Sequence, residues 1–198
     1  MQNLSPEAGL SDPAFLTGVA LIAMPGIGDP RFERAVIVIC AHDAEHAMGL
    51  VLNRPLDGLT SPDLLERLGV SAAASAPQEP VLIGGPVERE RGFVLHTDDY
   101  ISAEGTLPVG ERLALTATRD VLEAMADPER RPRRAVLALG YSGWGAGQLE
   151  REIRENVWLT CDADEALVFS HDYDHKWSQA LSRLGVSAEQ LSSQAGRA

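Results

Sequence analysis

The stretch from residue 135 to residue 156, AVLALGYSGWGAGQLEREIREN, constrains the fold of this chain more than any other. Its first five residues are apolar and predict a buried strand at 135–139. Gly140, Gly143, Gly145 and Gly147 then fall within eight residues and predict a turn at 140–147. Residues 148–156 predict an amphipathic helix. We therefore expect a strand–turn–helix unit, against which the other segments pack.

The other segments supply the rest of an α+β fold. Hydrophobic patterning predicts strands at 15–24, 34–41, 48–53, 81–83, 92–97, 112–116 and 157–161. Helices are expected after Thr60 or Ser61, from Thr118 to before Pro128, after Asp162, and around Trp177. Some neighbouring strands have hairpin-length connections and others are separated by helices. This mixture favours a mixed or antiparallel sheet.

The size of the chain fits one domain. It has 198 residues, 44% of them hydrophobic, which supports one substantial core. We assign residues 13–186 to this domain. Residues 1–12 are expected to be a flexible tail, and residues 187–198 a weakly ordered one. Residues 70–80, VSAAASAPQEP, are expected to form a surface loop, since they are small, polar and contain proline.

Charge and composition exclude several classes of protein. The formal net charge is −12, so non-specific nucleic-acid binding is disfavoured. An arginine cluster at 130–134 is the exception, and we interpret it as a solvated connector. The N-terminus lacks the features of a signal peptide, and no run approaches the roughly 18 apolar residues of a membrane span. With Cys40 and Cys161 far apart, we expect reduced thiols in a cytoplasmic protein.

Two catalytic patterns are incomplete. Ser142 follows a strand and precedes a helix, as a nucleophile elbow would, but Trp144 occupies a position that G-x-S-x-G requires to be glycine. The segment from His42 to His46 matches H-x-x-E-H, yet it lies between two strands and not on a helix. A cryptic hydrolase using Ser142 remains open as an alternative. So does a metal site built from two histidine clusters, His42 with His46 and His171 with His175.

The glycine-rich segment also lacks the signatures of a phosphate-binding loop. It has neither G-x-G-x-x-G spacing nor a P-loop lysine, and Lys176 is the only lysine in the chain. We expect its glycines to provide unusual backbone angles that let Trp144 pack. If the turns near 53, 85 and 140 meet at one sheet edge, they would form a concave polar surface. The candidate binding residues are Asn53, Arg54, Gly84, Gly85, Pro86, Ser142, Trp144, Gln148 and Glu150.

These segments together resemble the YqgE/AlgH family of bacterial proteins, over nearly the whole chain from Phe15 to Gly185. The matching pieces, in order, are Ala23-Met24-Pro25, Asp29-Pro30, Phe32, His42, Ala47-Met48-Gly49, Asn53-Arg54-Pro55, Gly84-Gly85-Pro86, Gly92-Phe93-Val94-Leu95-His96, Leu139-Gly140-Tyr141-Ser142-Gly143-Trp144, Gly147-Gln148-Leu149-Glu150, Glu152, Asn156-Val157-Trp158-Leu159, Trp177 and Leu184-Gly185-Val186.

The resemblance implies a single α+β domain whose bifurcated sheet rolls into a pseudo-barrel with flanking helices. It also implies a cytoplasmic bacterial protein. Members of the family are often labelled transcriptional regulators, and no established catalytic residues can be carried over. We therefore expect a non-enzymatic regulatory or binding protein that acts through a protein partner or a small ligand. Direct nucleic-acid binding, a membrane partner, a metal and a cofactor are not expected.

Overall fold

A computed structural model of the chain describes residues 15–71 and 76–191. The predicted N-terminal tail lies outside the described residues, as do most of the predicted C-terminal tail and the middle of the predicted surface loop. Of the C-terminal tail, a short 3₁₀ turn at Ala188–Gln190 is described.

Within these ranges the chain forms ten strands and five α-helices. The strands are β1 Val19–Ala23, β2 Val36–His42, β3 His46–Val51, β4 Pro55–Thr60, β5 Pro80–Ile83, β6 Val87–Thr97, β7 Leu107–Val109, β8 Leu113–Thr116, β9 Ala135–Gly145 and β10 Trp158–Asp162. The helices are α1 Ser61–Arg67, α2 Arg119–Ala126, α3 Gln148–Arg154, α4 Glu165–Val168 and α5 Lys176–Arg183. Among the described residues, none of the helices has the length and apolar character needed to cross a bilayer.

The strands form one curled sheet, and the helices flank it in a single domain. The main order is β10-β1-β2-β3-β9-β6-β8-β7, while β5 also pairs with β9 and β4 pairs with β5. The β5–β9 pairing is parallel, and the other pairings are antiparallel. The predicted single α+β domain with a bifurcated sheet and flanking helices is therefore confirmed, and the sheet forms a curled half-barrel that divides at β9.

The prediction of a turn at 140–147 was wrong, because β9 continues to Gly145. Its first half lies between β5 and β6. Ala138, for example, pairs with Leu82 of β5 on one side and with Phe93 of β6 on the other. Its second half pairs with β3. The backbone bends at Gly140, where φ is +72°, a left-handed conformation that suits glycine. The glycines thus mark a bend and a close approach inside a strand rather than the end of one.

Other boundaries also differ from the predictions. Pro55 begins β4, a strand the sequence pattern missed, and proline is tolerated as the first residue of a strand. Asp164, not Asp162, caps α4 and accepts a hydrogen bond from the backbone of Leu167. Of the two residues predicted to cap α1, Thr60 is the cap, and it forms a reciprocal capping box with Asp63.

Several apolar clusters hold the helices to the sheet. Alternate residues of β2 point to different clusters: Val38 and Cys40 face the interior of the curl, while Ile37 and Ile39 pack with Trp144 and the α3 side. On β1, Ala20 and Ile22 pack against α5. This alternation is the two-residue period of a strand that is buried on both faces. It places α3 and the side chain of Trp144 on the same face of the sheet.

Candidate functional site

The three segments in which turns were predicted do come together, although the third is a bend within β9. The segment from Gly84 to Pro86 crosses the bend of β9, where the Gly84 amide donates to the carbonyl of Leu139 at 2.8 Å. A Cβ placed on Gly85 would lie 2.1 Å from the carbonyl carbon of Tyr141, so no side chain fits there. A Cβ on Gly84 would lie 2.3 Å from the carbonyl oxygen of Gly140. We call this contact of residues 84–85 with residues 140–142 the glycine junction.

The Asn53–Arg54 turn joins the junction from the other side. The amide of Ile83 donates to the carbonyl of Arg54 at 2.8 Å. Asn53 is buried and bridges backbone groups: its Oδ1 accepts from the Val36 amide at 2.9 Å, and its Nδ2 donates to the Arg34 carbonyl at 2.8 Å. Asn53 therefore secures the strand ends and is not presented to a ligand, whereas Arg54 reaches the surface and donates to the carbonyl of Glu33.

A groove borders the glycine junction. It consists of two adjoining cavities of about 610 and 380 Å³, which share Arg31, Phe32 and Pro86. The larger cavity is lined further by Ile27, Asp29, Val87, Gly143, Trp144, Gln148, Arg151, Glu152, Glu155, Val157 and Trp158. The smaller is completed by Pro30, Val51, Arg54, Ile83, Gly85 and Arg89.

One carboxylate organises the wall of the larger cavity. Glu152 on α3 accepts from the indole Nε1 of Trp144 at 2.9 Å and from that of Trp158 at 2.8 Å. Its other oxygen accepts from Gln148 Nε2 at 2.9 Å, and Gln148 in turn accepts from the Gly145 amide at 3.0 Å. The two indole rings meet edge to face, with centroids 6.1 Å apart. The aromatic wall is thus held rigidly by hydrogen bonds to a charged acceptor.

The structure divides the nine predicted residues into three groups. Groove lining is provided by Arg54, Gly85, Pro86, Trp144 and Gln148. Beneath it, as structural support, lie Asn53, Gly84 and Ser142. Glu150 belongs to neither group. Although it lies on α3 with Gln148, it contacts His42 and lines neither cavity.

His42 and Glu150 form a second polar pair on the other side of α3. The His42 side chain is 2% exposed, and its Nδ1 accepts from the Leu16 amide at 2.9 Å. Nε2 must therefore carry the proton, which it donates to Glu150 Oε1 at 3.0 Å. With both ring nitrogens occupied, the imidazole has no free lone pair for general-base catalysis. The pair ties β2 to α3.

The geometry gives the hydrolase alternative no support. Ser142 is 1% exposed, and its hydroxyl donates to the carbonyl of Gly84 at 3.3 Å. A serine nucleophile needs a base within hydrogen-bond reach, and the only hydrogen bond of this side chain within the described residues goes to a backbone oxygen. Ser142 therefore helps to hold the glycine junction together.

The metal alternative is equally unsupported. His46, His171 and His175 are exposed, and each pairs with one carboxylate, that of Asp43, Glu79 and Asp172 respectively. No group of three or more potential ligands among His, Cys, Asp and Glu occurs in the part of the chain that the structure describes. The Cys40 thiol is fully buried, which raises its pKa to about 12 and makes it a poor ligand at neutral pH.

Sequence reasoning missed several residues of the groove. Phe32 packs edge to face on Trp158, with ring centroids 5.8 Å apart. The carboxylate of Asp29 accepts two hydrogen bonds from Nε of Arg31 and one from Nη2 of Arg31. That contact lowers the pKa of the Asp29 carboxyl. The resemblance had marked Phe32 and Trp158 as family positions, but nothing in the local pattern placed these distant segments together.

Comparison with known proteins agrees with this fold. The family model described as AlgH-like, DUF179, matches residues 20–189. A UPF0301 protein of Caulobacter vibrioides is 62% identical over 187 residues, covering 94% of this chain and 96% of the relative. One of Rhodospirillum rubrum is 52% identical over 184 residues, covering 93% and 95%.

Two solved structures share the architecture. The solution structure of the AlgH protein from Pseudomonas aeruginosa has a TM-score of 0.74 and 42% identity, covering 96% of this chain and all of that one. A crystal structure of a protein from Corynebacterium diphtheriae, 20% identical, has a TM-score of 0.68 over 92% of this chain and 90% of its own, which bears on the fold alone. The chain therefore belongs to the AlgH-like family, DUF179.

Proposed function

We propose that this protein is a non-enzymatic binding protein whose groove holds an extended segment of a protein partner. The observation that carries the proposal is the groove itself. Its two cavities meet at Arg31, Phe32 and Pro86, so the concave surface is elongated rather than a single closed pocket. An elongated surface suits an extended chain better than a compact small molecule.

The composition of the groove supports recognition of a peptide. Phe32 is partly exposed in the groove and is backed by Trp144 and Trp158, which are 6% and 3% exposed. Arginine, which also lines the groove, is enriched at binding hot spots together with tryptophan and tyrosine. Glu152 fixes both indoles before any partner arrives. A wall that is already ordered loses little conformational entropy on binding, which favours affinity.

The charge of the groove indicates the kind of segment it accepts. Arg31, Arg54 and Arg89 line the smaller cavity, which has no carboxylate in its lining, in a chain whose formal net charge is −12. In the larger cavity the carboxylates of Asp29, Glu152 and Glu155 oppose the arginines, so the positive charge is concentrated in the smaller one. Such local positive charge favours a partner segment with acidic side chains among apolar ones. The same overall charge disfavours nucleic acid, so any effect on transcription would pass through a protein contact in the cytoplasm.

Site-specific photo-crosslinking in the native host tests the proposal. A photoreactive phenylalanine analogue replaces Val87 at the groove or, as the matched control, Ile101, which is exposed and lines neither cavity. We expect a discrete crosslinked protein from position 87 only, with the crosslink in a segment rich in acidic residues. The double variant Arg89→Glu and Arg151→Glu should abolish it, while Arg119→Glu should not.

The outcomes separate the competing readings. Equal crosslinking from positions 87 and 101 would contradict a specific groove. Native mass spectrometry that found a small molecule retained by the purified chain, and lost in the double variant, would replace the partner segment with a small ligand.

A further inference from the structure

Another cavity, which shares no lining residue with the groove, carries an inference independent of the proposed function. It has a volume of about 210 Å³ and lies where the start of α1, the segment before β9 and the residues after α4 meet. Its walls are Ser61, Pro62, Leu65, Ala76, Pro77, Glu79, Met125, Arg131, Pro132, Arg133, Arg134, Ala135, Val136, Phe169 and His171. We call it the arginine cavity, since it includes three of the four arginines of the 130–134 cluster.

An unsatisfied hydroxyl group lies in its wall. Ser61 is 4% exposed, and its Oγ is buried without a hydrogen-bond partner among the described residues. It is the one buried side-chain nitrogen or oxygen in that part of the chain for which this is so. Buried hydroxyl groups are normally paired, because desolvating one without a partner is unfavourable. A molecule that accepts a hydrogen bond from Ser61 would remove this penalty.

A fixed positive charge lines the same cavity. The Arg134 guanidinium stacks over the ring of Phe169, 5.2 Å from its centroid, and Nη2 donates to the Phe169 carbonyl at 3.1 Å. This is the only hydrogen bond of that guanidinium within the described ranges, so other N–H groups of its planar fork can meet a ligand. Arg133 contributes less, since its guanidinium is paired with Glu165 at 2.7 Å.

The remaining walls limit the ligand. Leu65, Met125, Val136 and Phe169 provide apolar surface, and a cavity of about 210 Å³ is smaller than the range usual for drug-sized molecules. Glu79 is the one carboxylate in the lining, and it lies 3.0 Å from His171 Nε2. The charge therefore favours an anion, and the volume favours a small one.

We propose that the arginine cavity binds a small oxyanion, a phosphate or a short-chain carboxylate, which accepts from Ser61 Oγ and from the Arg134 guanidinium. The apolar wall would hold any short body attached to it. The 130–134 cluster, which the sequence suggested to be a solvated connector, then acts in part as a binding element.

NMR titration of the full ¹⁵N-labelled chain tests this proposal. Sodium phosphate, sodium butyrate and sodium chloride are compared at pH 7 and equal ionic strength. We expect saturable shifts of the amides of Ser61, Ala135 and His171 with phosphate or with butyrate, and no saturation with chloride. Whichever anion saturates identifies the source of the oxyanion, and saturation by neither would overturn the proposal.

Variants identify the groups that hold the anion. Ser61→Ala and Arg134→Gln should each weaken the affinity at least about fivefold, a loss typical of one hydrogen bond or ion pair. Arg119→Gln, which lies outside this cavity, should bind as the natural chain does. Unchanged affinity in Ser61→Ala would overturn the assignment, and this variant decides the matter if Arg134→Gln does not fold. Duplex DNA that shifts the same amides, when neither small anion saturates, would also overturn it.

Discussion

The glycine junction and the arginine cavity both lie beside β9, yet they are built in opposite ways. At the junction the backbone of residues 84–85 touches that of 140–142 so closely that a side chain is excluded. Each buried polar side chain there is paired, Ser142 with the Gly84 carbonyl and Asn53 with two backbone groups. The arginine cavity has empty volume, a hydroxyl group with no partner among the described residues, and excess positive charge.

This contrast separates structural support from binding capacity. A region with no space and no unpaired polar group has nothing to gain from a ligand, so its residues are important for stability. A region with space and an unpaired group can gain from one. The groove lies between these extremes, because Gly85 of the rigid junction lines it together with the partly exposed Phe32 and the exposed Arg31 and Arg89. Mutations in the two regions should therefore have different effects on the free energy of unfolding.

The largest effect is expected from Gly85→Ala. The new methyl group would overlap the backbone of Tyr141 and Ser142, at 2.1 to 2.4 Å, and backbone cannot rotate away as a side chain can. We expect the free energy of unfolding to fall by more than about 4 kcal/mol, measured by urea denaturation.

Gly145→Ala, at the end of β9, is the matched control. Its nearest neighbour would be Gln148 Oε1 at 4.0 Å, and its φ is not positive, so a change within about 0.5 kcal/mol is expected. If Gly85→Ala were as stable as Gly145→Ala, the junction would not be the close backbone contact described here.

A second prediction concerns the positive charge next to the arginine cavity. Lys176 is fully buried, and its Nζ donates to the Val168 carbonyl at 3.0 Å. Burial, and to a smaller extent the charge of Arg134, lowers the pKa of Lys176 to about 8 from its usual 10.5. Between these two pH values the unfolded chain binds a proton that the folded chain has lost, so this group makes stability rise with pH.

Lys176→Met removes that dependence. Below pH 8 the natural chain must fold around a buried charge, so the variant should be more stable at pH 7 by up to about 3 kcal/mol. The advantage should shrink as the pH rises towards 10.5. Burial raises the pKa of Cys40 to about 12. Because this thiol is present in both proteins, its contribution to the pH dependence cancels in the stability difference. Urea denaturation midpoints at pH 7 and pH 10 measure the stability difference between the variant and the natural chain. An equal difference at both pH values would contradict the lowered pKa of Lys176.

The fold could be predicted from the sequence where local patterns decide the structure. The runs that became β2, β3 and β8 are apolar and partly β-branched, and the capping residue Thr60 begins α1 as expected. Prediction failed at 140–145, because glycines that allow close contact look like glycines that form a turn. The distinction depends on Gly84 and Gly85, more than fifty residues away, which local reasoning does not include.

The candidate site was predictable only in part, for a related reason. The turns at 53–54 and 84–86 could be recognised as unusual, but their meeting with β9 depends on strand pairing across the sheet. Glu150 and Glu152 look alike in the sequence, two residues apart on one helix. Because a helix turns by about 100° per residue, they point to different surroundings, Glu150 to His42 and Glu152 to the two indoles. Nothing local to α3 indicates which one borders a groove.

The smallest effect is expected from two of the buried serines, Ser142 at the junction and Ser61 at the arginine cavity, and it gives the sharpest test of the comparison. Ser142→Ala removes the hydroxyl that donates to the Gly84 carbonyl, so we expect a loss of about 1 kcal/mol in the free energy of unfolding. Ser61→Ala removes a hydroxyl with no partner among the described residues, so stability should be unchanged or rise by up to about 1 kcal/mol. Urea denaturation in an anion-free buffer measures both.

Adding the anion that binds should then stabilise the natural chain more than Ser61→Ala, because only the natural chain has the donor. A clear loss of stability in Ser61→Ala without any anion would mean that its hydroxyl already has a partner, and the contrast between the two regions would fail.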